Sequence, residues 1–144
     1  MCHKRETKIK GEFKITALQK DIKYWVEISD YDLKTAEAML ETGRYLYVLF
    51  ACQQAIEKTL KGLVTARTKR FPPRLHNLVK LAGISGIALA EEDKLFLEKV
   101  SYYYLETRYP EEVIKINKQI NRKLAKSYLD KTKGILKWLR QEIK

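Results

Sequence analysis

Residues 45–67 read YLYVLFACQQAIEKTLKGLVTAR, and they form the most apolar helical stretch of the sequence. Positions that share one face of a helix recur here at spacings of three and four residues. These positions are Leu49, Phe50, Gln53, Ile56, Leu60, Leu63 and Val64. Pro72 and Pro73 follow shortly afterwards and end the helix, because proline lacks the backbone N–H that a helix needs. The pattern predicts a central helix over residues 45–67.

Amphipathic patterns on either side of this stretch predict three more long helices. One runs over residues 21–43 and ends near Gly43, one begins at Glu91 and ends at Pro110, and the last covers residues 124–143. A short helix is predicted over residues 75–82, closed by Gly83 and Gly86. Long helices with short connections favour an all-α fold, an antiparallel up-and-down four-helix bundle with an additional short helix.

The length and charge of the chain indicate one basic domain. The 144 residues carry 29 Lys and Arg against 18 Asp and Glu, a net charge of +11. We predict a mobile N-terminal arm over residues 1–18 and the bundle domain over residues 19–144. A charge of this size favours anionic partners such as nucleic acid, nucleotides or acidic proteins, although many of the cations also suit solvated helix faces.

The sequence gives no indication of export or of membrane insertion. Its first residues, MCHKRETKIKGE, lack an apolar run, and no stretch of about 18 apolar residues follows. Cys2 and Cys52 lie at no metal-ligand spacing and are predicted to be reduced thiols. We therefore expect a cytoplasmic protein without a metal or other cofactor.

Three separated segments together resemble one family. They are ISDYDLKTAEAMLETGRYLYVLFACQQAIEKTLKGL (28–63), LHNLVKL (75–81) and YLETRYP (104–110). This order of motifs resembles the small stand-alone HEPN domain proteins of archaea and bacteria, over residues 21–139. The matching positions are Asp32, Ala36, Gln54, Glu57, Lys58, Lys61, His76, Leu78, Arg108, Tyr109 and Pro110.

The resemblance implies an antiparallel helical bundle that commonly forms a homodimer. It also implies a small nucleotidyltransferase as partner, in a system of the toxin–antitoxin kind, and nucleotide or RNA as ligand. On this basis the chain is expected to be a non-enzymatic binding module.

A metal-independent ribonuclease is the alternative, because some HEPN relatives that are ribonucleases carry an Arg and a His with four to six residues between them. Arg70 and His76 have this spacing in the stretch RFPPRLH, with Arg74 as a second cation. Histidine transfers protons near neutral pH and arginine stabilises a charged transition state. Pro72 and Pro73, however, predict a bent loop where the nucleases have a helix, and His76 equally suits a residue that caps or anchors the short helix.

The central helix carries a polar strip that needs partners. Gln54, Lys58 and Lys61 share one face, and Glu57 precedes Lys61 by one turn, in the orientation that favours an ion pair. One interpretation is a structural clamp, in which Arg108 binds the Glu57 carboxylate through two parallel hydrogen bonds. The other is an anion or nucleotide site, whose predicted residues are Lys58, Lys61, His76, Arg108 and Tyr109.

Three consecutive tyrosines, Tyr102, Tyr103 and Tyr104, lie on the third long helix. Successive helical residues point about 100° apart, so the three rings are not all buried in one core. At least one ring is therefore predicted to be exposed or at an interface.

Overall fold

In the computed structural model, residues 2–106 and 108–144 are described, and for residues 2–16 the backbone alone. The predicted central helix is confirmed as α2 (Tyr45–Thr68), which is buried on nearly all sides along most of its length. Helices around α2 cover it: α1 (Cys2–Glu41), α3 (Leu78–Ser85), α4 (Glu91–Glu106) and α6 (Arg122–Ile143) all pack on it. The all-α class is confirmed, and α2 is the central helix on which the other four pack.

The α1 helix runs antiparallel to α2 after a tight turn at Gly43, whose φ of +75° is the left-handed conformation that glycine adopts without strain. Inside their interface, Ser29 Oγ donates a hydrogen bond to the Ala55 carbonyl over 2.8 Å. The predicted arm implied an irregular backbone, but the backbone is helical from Cys2 onward. Movement of residues 1–18 stays a prediction.

The connection from α2 to α3 is not helical over residues 69–77, as the two prolines predict. The short helix begins three residues later than predicted, because the Asn77 side chain caps it by accepting a hydrogen bond from the Lys80 N–H. Gly83 lies inside the helix, whereas Gly86, with φ +78°, has the left-handed conformation that ends it. The predicted bounds of 75–82 were therefore shifted toward the N-terminus.

The predicted short helix is present as α3, and a second short helix that was not predicted, α5 (Pro110–Gln119), occupies the connection before α6. Pro110 begins this helix; at the first position the missing N–H costs nothing and the fixed φ suits a helix. Glu111 and Glu112 lie in its first turn, where the helix dipole favours negative charge.

Two groups of buried side chains fill the bundle. One joins the C-terminal half of α2 to α3, α4 and the end of α6. The other joins the N-terminal half of α2 to α1, α5 and the start of α6. Of the three tyrosines, Tyr104 is buried and Tyr102 is half exposed, which confirms the prediction of at least one exposed ring. Within the described part of the chain, no helix is long and apolar enough to cross a membrane.

Candidate anion-binding site

The predicted site residues of α2 surround a buried carboxylate. The Glu57 side chain is 1% exposed. Its Oε2 lies 3.3 Å from Lys61 Nζ and 3.4 Å from Lys58 Nζ, while its Oε1 accepts a 3.3 Å hydrogen bond from Gln53 Nε2. The fourth contact, His76 Nδ1 at 2.8 Å from Oε1, comes from the loop before α3. We call these five residues the Glu57 cluster.

The partners of Glu57 keep its carboxylate ionised. Burial raises the pKa of this carboxyl, but the hydrogen bond from His76 and the charges of Lys61 and Lys58 outweigh burial, so the pKa lies below its ordinary value. An ionised carboxylate only accepts hydrogen bonds, so His76 Nδ1 carries a hydrogen and donates this hydrogen bond to Glu57 Oε1. The ring of His76 is half exposed beyond this contact.

Asp32 on α1 borders the cluster and behaves in the opposite way. Burial raises the pKa of its carboxyl, the charge of Lys58 lowers it, and the negative charge of Glu57 raises it again, for a net increase. Its Oδ2 atom is buried without a hydrogen-bond partner among the described residues. The site therefore contains two carboxyl groups with different surroundings. Glu57 has hydrogen-bond and ion-pair partners on both oxygens, whereas the buried Oδ2 of Asp32 has none among the described residues.

His76 anchors the start of α3 rather than capping it. Its ring contacts Glu57, and its backbone carbonyl accepts a 3.1 Å hydrogen bond from Gln53 Nε2. The capping side chain is that of Asn77. Among the two functions predicted for a structural His76, the observed geometry matches anchoring.

Arg108 lies beside the cluster through an aromatic ring instead of on Glu57. Its guanidinium carbon is 5.2 Å from the centre of the Tyr104 ring, and Nη2 donates a 3.2 Å hydrogen bond to the Tyr104 hydroxyl. The Tyr104 ring in turn lies 5.7 Å from the His76 ring. In the described contacts, Glu57 is held by His76 and the lysines, and the predicted clamp to Arg108 is not seen.

The remaining predicted residues make no described contact with the cluster. Tyr109 is 62% exposed and precedes α5, with no described contact to Glu57 or His76. Arg70 is exposed in the α2–α3 loop, and no contact with His76 is among those described. The structure thus brings Lys58, Lys61, His76 and, through Tyr104, Arg108 together, but neither Tyr109 nor Arg70.

Comparison with known proteins identifies the family. A family model described as the HEPN domain matches residues 22–143. The chain belongs to the HEPN family. The crystal structure of TT1696 from Thermus thermophilus superposes with a TM-score of 0.72 at 26% identity, covering 84% of this chain and 97% of that one. The crystal structure of ST0689, an archaeal HEPN homologue, superposes with a TM-score of 0.62 at 20% identity, covering 85% of this chain and 98% of that one. At this identity, the similarity shows the fold alone. No curated protein gives a significant match.

Sequence reasoning missed two residues of this HEPN site. Gln53 was assigned to the apolar stripe, yet its amide joins Glu57 to the His76 carbonyl. Tyr104 was treated only as one of three tyrosines; its spacing of four residues before Arg108 was the available signal, because helical neighbours at this spacing meet. No group of three or more metal-ligating side chains capable of holding an ion is found among the described residues.

Proposed function

We propose that this HEPN chain is a non-catalytic binding module whose ligand is a nucleotide. One observation carries the proposal: Lys58 and His76 both contact Glu57, and Arg108 lies against the Tyr104 ring that neighbours His76, so groups from three separate segments are linked around one carboxylate. Even with Glu57 and Asp32 both ionised, the cations Lys58, Lys61 and Arg108 leave a surplus of positive charge there. A phosphate group is the natural ligand of such a surplus.

The cations of the proposed site differ in exposure and therefore in their roles. Lys61 is nearly buried, with its Nζ also 5.7 Å from the centre of the Trp25 ring, so it supplies charge rather than direct contact. Lys58 retains some exposure and Arg108 is exposed, so these two meet the phosphates. The half-exposed His76 ring, adjacent to Tyr104, offers a flat surface for a base.

Calorimetric titration with ATP tests this site. We expect ATP to bind the wild type, and Lys58→Ala and Arg108→Ala each to lower the affinity about tenfold or more, the loss of a hydrogen bond to a charged group. Lys123→Ala is the matched control. This exposed lysine lies in the first turn of α6, next to Arg122. The guanidinium of Arg122 contacts the Leu40 carbonyl near the C-terminal end of α1. Unchanged affinity in both site variants would refute the nucleotide site.

Family membership supports further parts of the proposal. They are a homodimer, a cytoplasmic location and a small nucleotidyltransferase as partner in a toxin–antitoxin system. Light scattering separates the dimer from a monomer of 17.0 kDa.

A metal-independent ribonuclease is the second candidate, and the Glu57–His76 contact favours it. The contact with Glu57 places a hydrogen on Nδ1, so in a neutral His76 ring the other nitrogen is the group that accepts a proton, as RNA cleavage needs. Against it, the motif arginine Arg70 lies in a bent loop without a described contact to His76.

RNA cleavage in EDTA separates the enzyme from the binding module. We expect purified wild-type protein to leave labelled single-stranded RNA intact, at the same level as His76→Ala. Cleavage that persists in EDTA and disappears in His76→Ala would replace the binding module by the ribonuclease.

A further inference from the structure

The loop between α2 and α3 holds an exposed aromatic ring among cations. Phe71 is 70% exposed, and its ring contacts Trp25 of α1 with the ring centres 6.1 Å apart. Lys69, Arg70 and Arg74 surround it in sequence and are exposed. A largely exposed apolar ring, with three exposed cations within three residues of it along the chain, is a combination that core packing does not require.

The backbone of this loop is held in place on both sides of Phe71. Lys69 adopts the left-handed conformation, with φ 58°, and its N–H bonds the Thr65 carbonyl as the C-terminal cap of α2. Pro72 is buried, and Leu75 packs against the core, with its N–H bonding the Pro73 carbonyl over 2.8 Å. Little conformational entropy is then lost when a ligand meets the exposed ring.

The cations of the loop differ from the nearby Arg67 in their described ion pairs. Nearby Arg67 is engaged, since its guanidinium binds Glu142 at 2.9 Å and the Ser85 carbonyl. By contrast, no ion pair with a described carboxylate involves Lys69, Arg70 or Arg74. Their charge favours a polyanion over an apolar protein surface as the partner of Phe71.

We propose that this loop is a binding platform for single-stranded polynucleotide, with a base stacked on Phe71 and the adjacent phosphates held by Arg70 and Arg74. Aromatic stacking accepts any base, and the cations follow the backbone, so the platform binds RNA and DNA strands without sequence preference. The platform uses none of the residues of the nucleotide site, and it stands independently of that proposal.

Fluorescence anisotropy with labelled oligouridylate and oligothymidylate of about 12 nucleotides tests the platform. Phe71→Ala is expected to weaken binding of both strands about fivefold or more, the loss of one base stack, and Phe71→Trp to retain it. Arg70→Ala and Arg74→Ala are each expected to make the slope of log affinity against log salt shallower by about 0.7. An abasic strand is expected to bind wild type and Phe71→Ala equally.

Two matched controls remove similar groups elsewhere. Leu105→Ala deletes another exposed apolar side chain, on α4, and Lys123→Ala deletes an exposed cation at the other end of the bundle; both are expected to bind like the wild type. Phe71→Ala is also expected to keep its affinity for ATP, so the two proposals fail separately. Absence of strand binding by the wild type, or unchanged affinity of Phe71→Ala, would overturn the platform.

Discussion

Glu57→Gln is expected to lower the free energy of unfolding at pH 7 by about 3 kcal/mol, the cost of removing one partner from a buried ion pair. The change leaves the charges of Lys61 and Lys58 beside a neutral amide. Their side chains are only 10% and 21% exposed, so water replaces the lost carboxylate poorly. It also weakens the 2.8 Å contact that attaches His76 to the core. Urea denaturation of wild type and variant measures the difference.

The same comparison predicts a pH dependence. The pKa of Glu57 is lowered in the folded state, so its stabilising effect is complete above the ordinary value of 4.5 and is lost as the pH falls through the lower folded value. The difference between wild type and Glu57→Gln should therefore shrink below about pH 4.5. For Asp32→Asn, the expected change in the free energy of unfolding has the opposite sign. The pKa of Asp32 is raised in the folded state, so its ionised form destabilises the fold at pH 7 and the variant should be at least as stable as wild type. This advantage should disappear in acid, where Asp32 is protonated in both states.

A surface control makes the stability result specific to the cluster. Glu98 is an exposed glutamate of α4, and Glu98→Gln is expected to change the free energy of unfolding by less than about 0.5 kcal/mol. If Glu57→Gln were as mild as this control at pH 7, the buried carboxylate would not be the organising charge of the site.

Gly62→Leu is expected to destabilise the bundle by about 3 kcal/mol, at the upper end of ordinary overpacking. A Cβ at Gly62 would lie 3.3 Å from Trp25 Cβ and 3.9 Å from the Ile22 carbonyl oxygen. The Trp25 Cβ is attached directly to the α1 backbone, so a larger side chain forces α1 and α2 apart. Chemical denaturation checks this effect.

Gly134→Leu is the matched control for Gly62→Leu. Gly134 also lies in a helix, but a Cβ there meets no atom within 4 Å. The control is expected to be neutral or to stabilise by up to about 0.8 kcal/mol, because leucine favours helix more than glycine does. Equal effects of the two substitutions would contradict a close approach of α1 and α2 at Gly62.

Much of the candidate site was visible in the sequence because its parts lie on one helix. The four-residue spacing of Glu57 and Lys61 predicted their ion pair, which is observed. The second pair, between Glu57 and the adjacent Lys58, was not predicted from spacing. The partner across the fold was not predictable in this way. Arg108 was predicted to meet Glu57 and His76 was not, yet neither charge nor distance along the chain distinguishes the two residues.

The sequence alone determined the helical class, the central helix and the break at Pro72 and Pro73, because periodicity and proline act locally along the chain. It did not determine the helix that begins at Pro110, since a proline is compatible with either the end of one helix or the first turn of the next. Only the tertiary structure decided that His76 reaches Glu57 while Arg108 lies on Tyr104. Those contacts depend on how the α2–α3 loop and the end of α4 pack over α2, and packing between distant segments is decided by the whole core.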